Sequence, residues 1–296
     1  MKKYVLLLII ANITMPAMAQ EEIRAQFLRH EISIYGTLSW SFLSSYYGGI
    51  SFNDQYSDKL SGGGGVGYTF FFHRHWGIAT GAEMAFFYTA IDDREITGST
   101  LETYSYGGVT EPMYFNSTLK DFKEMRRAAY LNIPLLLQFQ TAGRHKFYVA
   151  AGAKAGLAIS GKYEAAAASL TTSGYFPESD QTFTNMPHRG FTTLRKPSWT
   201  GTIDFGLNVS LAAEIGIRWA TRKHVALYTG FYLDYGLLDV SPEKTEKDLV
   251  SHQAATPGEF VYTHTLAACR PSTGAAYVKE VSLFSAGIKM RLAFGW

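Results

Sequence analysis

Eight charged residues recur at alternate positions within otherwise apolar stretches of this 296-residue chain. Successive side chains of a β-strand point to opposite faces, so each of these charges would lie opposite an apolar face. Four are acidic and four are basic, so their formal charges cancel. Carboxylates and cations that share an interior can form ion pairs, and the pattern predicts a structural charge network rather than a catalytic centre. Its members are Glu83, Lys154, Asp204, Glu214, Arg218, Asp234, Lys289 and Arg291.

A second set of residues could in principle carry out nucleophilic or metal chemistry. His188, His252 and His264 lie outside the apolar stretches, the last two close to Ser251 and Thr263. No nucleophile motif such as Gly-x-Ser-x-Gly accompanies them, and their spacing is not that of metal ligands. We therefore expect no catalytic residues, no metal site and no cofactor.

The charged residues belong to strands with two unlike faces. In residues 280–296, one parity holds Phe284, Ile288 and Leu292, and the other holds Lys289 and Arg291. The same alternation occurs in seven earlier segments, which predicts eight β-strands. The predicted strands span residues 31–43, 61–72, 76–91, 127–140, 147–160, 202–219, 224–237 and 280–296.

The links between these strands alternate between long and short. Residues 44–60, 92–126, 161–201 and 238–279 form long polar loops, and the other links are tight turns. A soluble sandwich would have to bury eight charges in its core, which is very costly. The predicted fold is therefore all-β: an eight-stranded antiparallel up-and-down transmembrane β-barrel over 31–296, with short periplasmic turns and long extracellular loops. Aromatic residues beside the turns form a predicted periplasmic girdle, namely Trp76, Phe147, Trp219 and Trp296.

The beginning of the chain is typical of an exported protein. Lys2 and Lys3 precede a short apolar run, and Ala17-Met18-Ala19 is a small-residue cleavage site. We expect a signal peptide over 1–19, cleaved after Ala19, and a periplasmic N-terminal stub over 20–30. The remaining chain has balanced charge, which argues against nucleic acid as a partner. The single cysteine excludes an internal disulfide framework.

The chain resembles the outer-membrane β-barrel protein family of Bacteroidota, which includes PorT-like and OmpA-like barrel domains. The resemblance rests on the segment Tyr130-Leu131-Asn132-Ile133-Pro134-Leu135-Leu136-Leu137, the glycine-rich fifth strand, Gly206 and the amphipathic segment 287–296. It implies residence in the bacterial outer membrane, with outer-membrane lipid and the barrel-assembly machinery as partners. Phe294 and Trp296 resemble the C-terminal assembly signal of such barrels.

The most direct functional hypothesis is a non-enzymatic outer-membrane protein, surface-binding or envelope-structural, that acts through its long extracellular loops. Its further partner would be an extracellular ligand or an envelope protein. The alternatives are a lipid A-modifying enzyme, a component of a secretion machine or a narrow ion channel. Loop tyrosines could form such contacts or could pack the loops together, and they are Tyr46, Tyr47, Tyr104, Tyr106, Tyr114, Tyr163, Tyr175 and Tyr262.

Overall fold

The structure is a computed structural model that describes residues 29–47, 53–55, 60–106, 109–222, 224–252, 260–270 and 273–296. The predicted signal peptide and nearly all of the predicted stub lie outside the described residues. Within the described ranges the chain is almost entirely β-structure, with one 3-10 turn at Pro187–Arg189. None of the helical structure in these ranges has the length and apolar character needed to cross a membrane.

Eight antiparallel strands form a closed ring. Each strand pairs with its neighbours in chain order, and the last pairs with the first from Glu31 opposite Gly295 to Tyr46 opposite Glu280. This confirms the predicted closure and the antiparallel barrel. The strands are β1 (His30–Tyr47), β2 (Ser61–Phe71), β3 (Trp76–Tyr106), β4 (Val109–Gln140), β5 (Lys146–Ala166), β6 (Asn208–Arg222), β7 (Val225–Gly236) and β8 (Val278–Gly295).

The outside of the ring is an apolar belt. Leu38 on β1, Leu135 on β4 and Phe231 on β7 are each more than half exposed, at 55%, 63% and 66%. In water such a continuous greasy surface would be unfavourable, whereas lipid is its natural solvent. About ten residues of a tilted strand cross a bilayer. The membrane-spanning segments are therefore residues 31–42, 61–72, 76–88, 129–140, 147–159, 207–219, 225–237 and 283–296.

Pro134 interrupts one ladder of the barrel, as its missing N–H requires. Between β3 and β4 the pairing stops after Thr80 opposite Leu135 and resumes at Glu83 opposite Asn132, with the register unchanged. On the other side Pro134 stays paired with Lys154. The register of β4 shifts at a different place, between Ala129 and Tyr130, where a bulge interrupts its pairing with β5.

Glycines on the inner wall leave room for large side chains. Gly216 and Gly230 face each other across β6 and β7. A Cβ atom at Gly230 would lie 2.9 Å from the hydroxyl of Tyr148 and 2.9 Å from the Cα of Gly216. Glycine is therefore required where a tyrosine fills the lumen against the backbone.

Beyond the apolar belt, β3, β4 and β5 continue into a folded extracellular unit, here called the cap. The cap comprises the described residues of 92–124, 161–206 and 238–277. Its main sheet contains the distal halves of β3 and β4 and the strands Ser169–Phe176, Gln181–Phe183 and Thr193–Arg195. Shorter paired strands complete the extracellular side, namely Asn53–Gln55, Ser198–Thr202, Val250–His252, Phe260–Tyr262, Cys269–Arg270 and Ala275–Ala276.

Two of the segments predicted as long loops contain β-strands, so these two predictions are wrong. Residues 92–126 form a β-hairpin that continues β3 and β4, and 161–201 contain strands of the cap sheet. The alternation reverses near Asp121, which has a left-handed φ of 49°. Phe122 is buried on one parity and Leu119 on the other. This change of face hides the hairpin from a search for regular period-two alternation.

Two apolar clusters hold the cap together and close the barrel mouth. The mouth cluster combines inward side chains of the strands with residues of the connections before β6 and after β7. Its members are Leu43, Phe87, Ala128, Tyr130, Ile203, Phe205, Val240, Leu266, Val278, Val281 and Leu283. The cap core contains Ile91, Ile96, Met113, Phe115, Leu119, Phe122, Ala165, Ala167, Leu170, Phe176, Phe191, Leu249, Val250, Tyr262, Ala268 and Tyr277. The cap therefore has a core of its own, separate from the barrel lumen.

Candidate functional site

The extracellular half of the lumen contains a buried triad. The Lys154 ammonium lies 2.9 Å from a Glu83 carboxylate oxygen and 2.7 Å from an Asp234 carboxylate oxygen. These three side chains come from β5, β3 and β7, so the triad joins separate parts of the barrel wall. Each charge has a partner of opposite sign, which offsets the cost of burying it.

The middle of the lumen is a layer of cations against tyrosine rings. Lys289 forms an ion pair with Glu214, and its ammonium lies 4.0 Å from the centre of the Tyr35 ring. Arg291 donates a 2.9 Å hydrogen bond to the side-chain oxygen of Gln138. Its guanidinium also lies 3.9 Å from the centre of the Tyr228 ring, a cation–π geometry.

The periplasmic end of the lumen contains a pair that the sequence analysis missed. Arg218 lies 2.8 Å from one Glu31 oxygen, and the Tyr228 hydroxyl donates a 2.6 Å hydrogen bond to the other. Glu31 falls on the inward parity of β1, together with Ser33. The alternation could have identified it, but its place at the very start of the strand concealed its role.

Asp204 does not belong to this network, so its predicted place in the lumen is wrong. The sixth strand begins at Asn208, and residues 203–207 lie outside the ladder. Ile203 and Phe205 turn inward into the mouth cluster, and Asp204 between them is exposed. Burial of two large apolar side chains outweighs continuation of the strand pattern. The other seven predicted charges all line the lumen.

Side chains fill the lumen almost completely. Tyr148, Tyr228 and Lys154 are all at most 2% exposed. A cavity of about 20 Å³ remains among residues that include Tyr35, Leu136 and Arg291. That volume holds about one water molecule. An eight-stranded barrel is just wide enough for this kind of filling, so the described lumen leaves no room for a diffusing solute.

The four girdle aromatics lie on the outside, beside the tight turns. Trp76, Phe147, Trp219 and Trp296 are 40%, 46%, 40% and 55% exposed. Trp296 also exchanges backbone hydrogen bonds with His30, and the two rings stack with centres 5.7 Å apart. Phe294, the other residue of the predicted assembly signal, faces outward on β8 and is 45% exposed.

A second buried polar cluster, the latch, ties the connection after β7 to β4. Glu124 accepts hydrogen bonds from Arg126 at 2.7 Å, from the Tyr262 hydroxyl at 2.5 Å and from the Thr265 backbone N–H at 3.0 Å. Arg126 also donates to Ser45 on β1 at 3.3 Å. Glu124 and Arg126 are both fully buried. The latch therefore holds residues 262–265 across the barrel mouth.

The latch lies outside the membrane-spanning segments, and its groups have shifted pKa values. Burial alone would raise the pKa of Glu124, but the Arg126 guanidinium and the hydrogen bonds from Thr265 and Tyr262 hold it below its usual range. Burial lowers the pKa of the neighbouring His264; Glu124 opposes this shift, whereas Arg126 and Lys244 reinforce it. Burial and the nearby Glu124 raise the pKa of Tyr262 well above its usual value. Glu124 is thus kept ionised and His264 neutral.

The two loop histidines whose side chains the structure describes, His188 and His264, lie in different surroundings. His188 lies exposed in the 3-10 turn, whereas His264 lies beside the Tyr163 ring at 5.2 Å between ring centres. Within the described ranges, no group of three or more histidine, cysteine, aspartate or glutamate side chains is arranged to hold a metal ion.

A closed antiparallel ring, an apolar outer belt and a polar lumen together define an integral β-barrel of the bacterial outer membrane. The chain belongs to the family described as outer membrane protein beta-barrel domain, whose model matches residues 18–241. Family membership therefore agrees with the location inferred from the pattern of the strands.

Several solved outer-membrane barrels are similar to this chain at low identity. Ail of Yersinia pestis, solved in complex with the heparin analogue sucrose octasulfate, is 12% identical, with a TM-score of 0.29 over 90% of this chain and 100% of that chain. OprG from Pseudomonas aeruginosa is 12% identical, with a TM-score of 0.34 over 90% and 97%. Neisserial surface protein A is 11% identical, with a TM-score of 0.28 over 88% and 94%. No curated protein sequence matches the chain significantly.

Proposed function

We propose that this protein is a non-enzymatic recognition protein of the cell surface, in which a sealed barrel anchors an extracellular binding cap. The observation that carries the proposal is the double closure of the barrel. Paired charges and tyrosines fill the lumen, and the mouth cluster lies above them. The barrel interior then has a structural role, and the cap is the part that faces the surroundings.

The cap has the properties of a binding platform. Its sheet rests on an independent apolar core, and the latch fixes it to the barrel. Binding surfaces are usually presented in this way, by segments that project from a rigid scaffold. The relation to PorT-like barrels of Bacteroidota, export with cleavage after Ala19, and assembly by the barrel-assembly machinery through Phe294 and Trp296 belong to the same proposal.

A cap-truncated variant tests the proposal. Thr97 pairs with Thr118, so residues 97–118 can be replaced by an Asn-Gly turn between adjacent strand positions. Intact cells that display the full protein should capture a partner from the medium or from neighbouring envelopes, and cells with the truncated variant should not. Heat-modifiable migration on a gel checks that both versions retain the barrel.

Two further measurements address the alternatives. In planar bilayers the purified protein should show no conductance of porin size, and such conductance would contradict the sealed lumen. The mass spectrum of lipid A should be the same with and without the gene, and a shift in mass would favour an enzyme.

A further inference from the structure

One face of the cap sheet points away from the cap core and carries an ordered row of hydroxyl groups. Thr97 pairs with Thr118, Thr118 with Thr171, and Thr171 with Thr193. Residues paired across strands lie on the same face, about 4.8 Å from one strand to the next. The Thr171 and Thr193 hydroxyl oxygens lie 3.3 Å apart. Four strands thus present one continuous row of threonines to solvent.

The next rows add an amide and two aromatic rings. Asn116 stands between Ser99 and Ser173 in one row, and Tyr114 pairs with Tyr175 in the next. The two tyrosine rings have centres 6.2 Å apart and an interplanar angle of 33°. The Tyr175 hydroxyl donates a 3.1 Å hydrogen bond to Asp180, which orients the ring. These rows and the threonine row are here called the hydroxyl–tyrosine face.

A cleft of about 600 Å³ opens beside the same strands. Its lining includes Thr97, Ser99, Asn116 and Thr118 of the face, the charged Asp93, Glu95 and Arg270, and Ile96, Gly98 and Ser117 of the opposite parity. Ligand sites are usually concave, with a small number of convergent polar groups. The face and the cleft together therefore offer both a platform and a recess.

The packing of the cap does not require these side chains. The core uses the opposite parity of the same strands, for example Phe115, Leu119 and Leu170. High β-propensity accounts for threonines and tyrosines on an exposed sheet. It does not account for Asn116, because asparagine is depleted in strands.

The charge distribution indicates which ligand would fit. The end row of the face contains Glu95 opposite Lys120, with Arg195 two strands further on. The paired positions beyond that row carry no charge, and Asp180 lies at the far end, where it accepts the hydrogen bond from Tyr175. A strongly anionic ligand would need a cluster of arginine and lysine side chains. The buried centre of a protein–protein interface is usually more apolar than this face. Hydroxyls, an amide and aromatic rings instead match a neutral glycan, which has hydroxyls at the ring edges and C–H groups on the ring faces.

We infer that the hydroxyl–tyrosine face binds a neutral glycan chain, with sugar rings packed on Tyr114 and Tyr175 and their hydroxyls bonded to Asn116 and the threonine row. This inference rests on the proposed surface-binding function and names its ligand class.

Calorimetry on the full chain in phospholipid nanodiscs tests the inference, because sugar-based detergents would compete with the ligand. The probes are oligosaccharides of glucan, mannan, galactan and xylan, together with heparin as a sulfated comparison. At least one neutral class should bind saturably and heparin should not. Replacing both Tyr114→Ala and Tyr175→Ala should weaken binding about tenfold or more, since aromatic anchors dominate most interfaces. The double Tyr→Phe variant should stay within about threefold, because it keeps the rings.

Tyr46→Ala is the matched control, because Tyr46 is 65% exposed at the extracellular end of β1 and lies outside the face. It should leave glycan binding unchanged. Hydrogen exchange in the cap core should be the same in all variants, which excludes unfolding as the cause of any loss.

Absence of binding to every neutral probe, preference for heparin, or equal loss in the Tyr46 control would overturn the inference. Capture of a protein partner by the cap without glycan binding would overturn the glycan but support the proposed function; no capture of any kind would overturn both.

Discussion

The barrel and the cap of this protein each bury a charged cluster, but they are built inside out relative to each other. The barrel is apolar outside and polar within, whereas the cap has an apolar core and a polar surface. Lipid surrounds one and water the other, and each part places its apolar atoms where its solvent requires them. In the barrel, the charged side chains form ion pairs across the lumen between strands of the wall. In the latch, Glu124 and Arg126 hold residues 262–265 against β4.

The largest effect should come from the barrel. Lys154→Ala would leave Glu83 and Asp234 buried without their cation, which should cost about 3–5 kcal/mol of barrel stability. Unfolding in urea, in detergent, measures this loss of stability, with the disappearance of heat-modifiable migration as the readout. Lys162→Ala is the control, because Lys162 is exposed near the end of β5 and should change stability by less than about 0.5 kcal/mol. Equal stability of both variants would mean that the lumen charges carry no structural role.

The second effect should be confined to the cap. Glu124→Gln leaves Arg126 buried without a counterion and should destabilise the latch by about 2–3 kcal/mol. Hydrogen exchange over residues 238–277 should increase while the barrel strands stay protected. The exposed pair of Arg127 and Glu164, 3.2 Å apart, provides the control, because Glu164→Gln should cost at most about 1 kcal/mol. Loosening of the barrel together with the cap would show that the two are a single cooperative unit.

Acidification should destabilise the cap by a smaller amount than the Glu124 substitution does. The pKa of His264 lies below its ordinary 6.5, so the stability that it contributes is present above that pH and is lost as the pH falls. Glu124 also has a pKa below its ordinary 4.5, so its contribution is lost at still lower pH as the carboxylate takes up a proton. Protease sensitivity of the cap should therefore rise below about pH 6 and increase further on stronger acidification. Burial raises the pKa of Asp248 in the cap, so Asp248 acts in the opposite direction. A cap that becomes more resistant in acid would contradict the prediction and would mean that Asp248 outweighs His264 and Glu124.

The smallest effect should come from the girdle. Trp219 donates a 2.9 Å hydrogen bond to Thr229 and packs on His145. Trp219→Leu should lower barrel stability by about 0.5–1 kcal/mol through loss of this bond. Phe231→Leu, at a lipid-facing position away from the rim, should have less effect in the same unfolding measurement. A larger loss at Phe231 than at Trp219 would argue against a special role for the rim.

The parts that sequence could predict are those with a regular period. The outward faces, the ring closure and seven of the eight predicted lumen charges follow from period-two alternation. The predicted lumen position of Asp204 was wrong because burial of Ile203 and Phe205 in the mouth cluster is more favourable than continuation of the strand. The hairpin in residues 92–126 was not predicted because the alternation of buried and exposed side chains changes phase near Asp121.

The sequence by itself determined the barrel and which face of each strand points outward, because lipid imposes one solvent on one face of every strand. Only the tertiary structure decided the partners of the charges, the inclusion of Glu31, the latch and the hydroxyl–tyrosine face. Those features join residues that are distant in the chain, through contacts that no local pattern encodes. A polar connection in water can adopt many conformations of similar free energy. The packing of the cap core then selects one of these conformations.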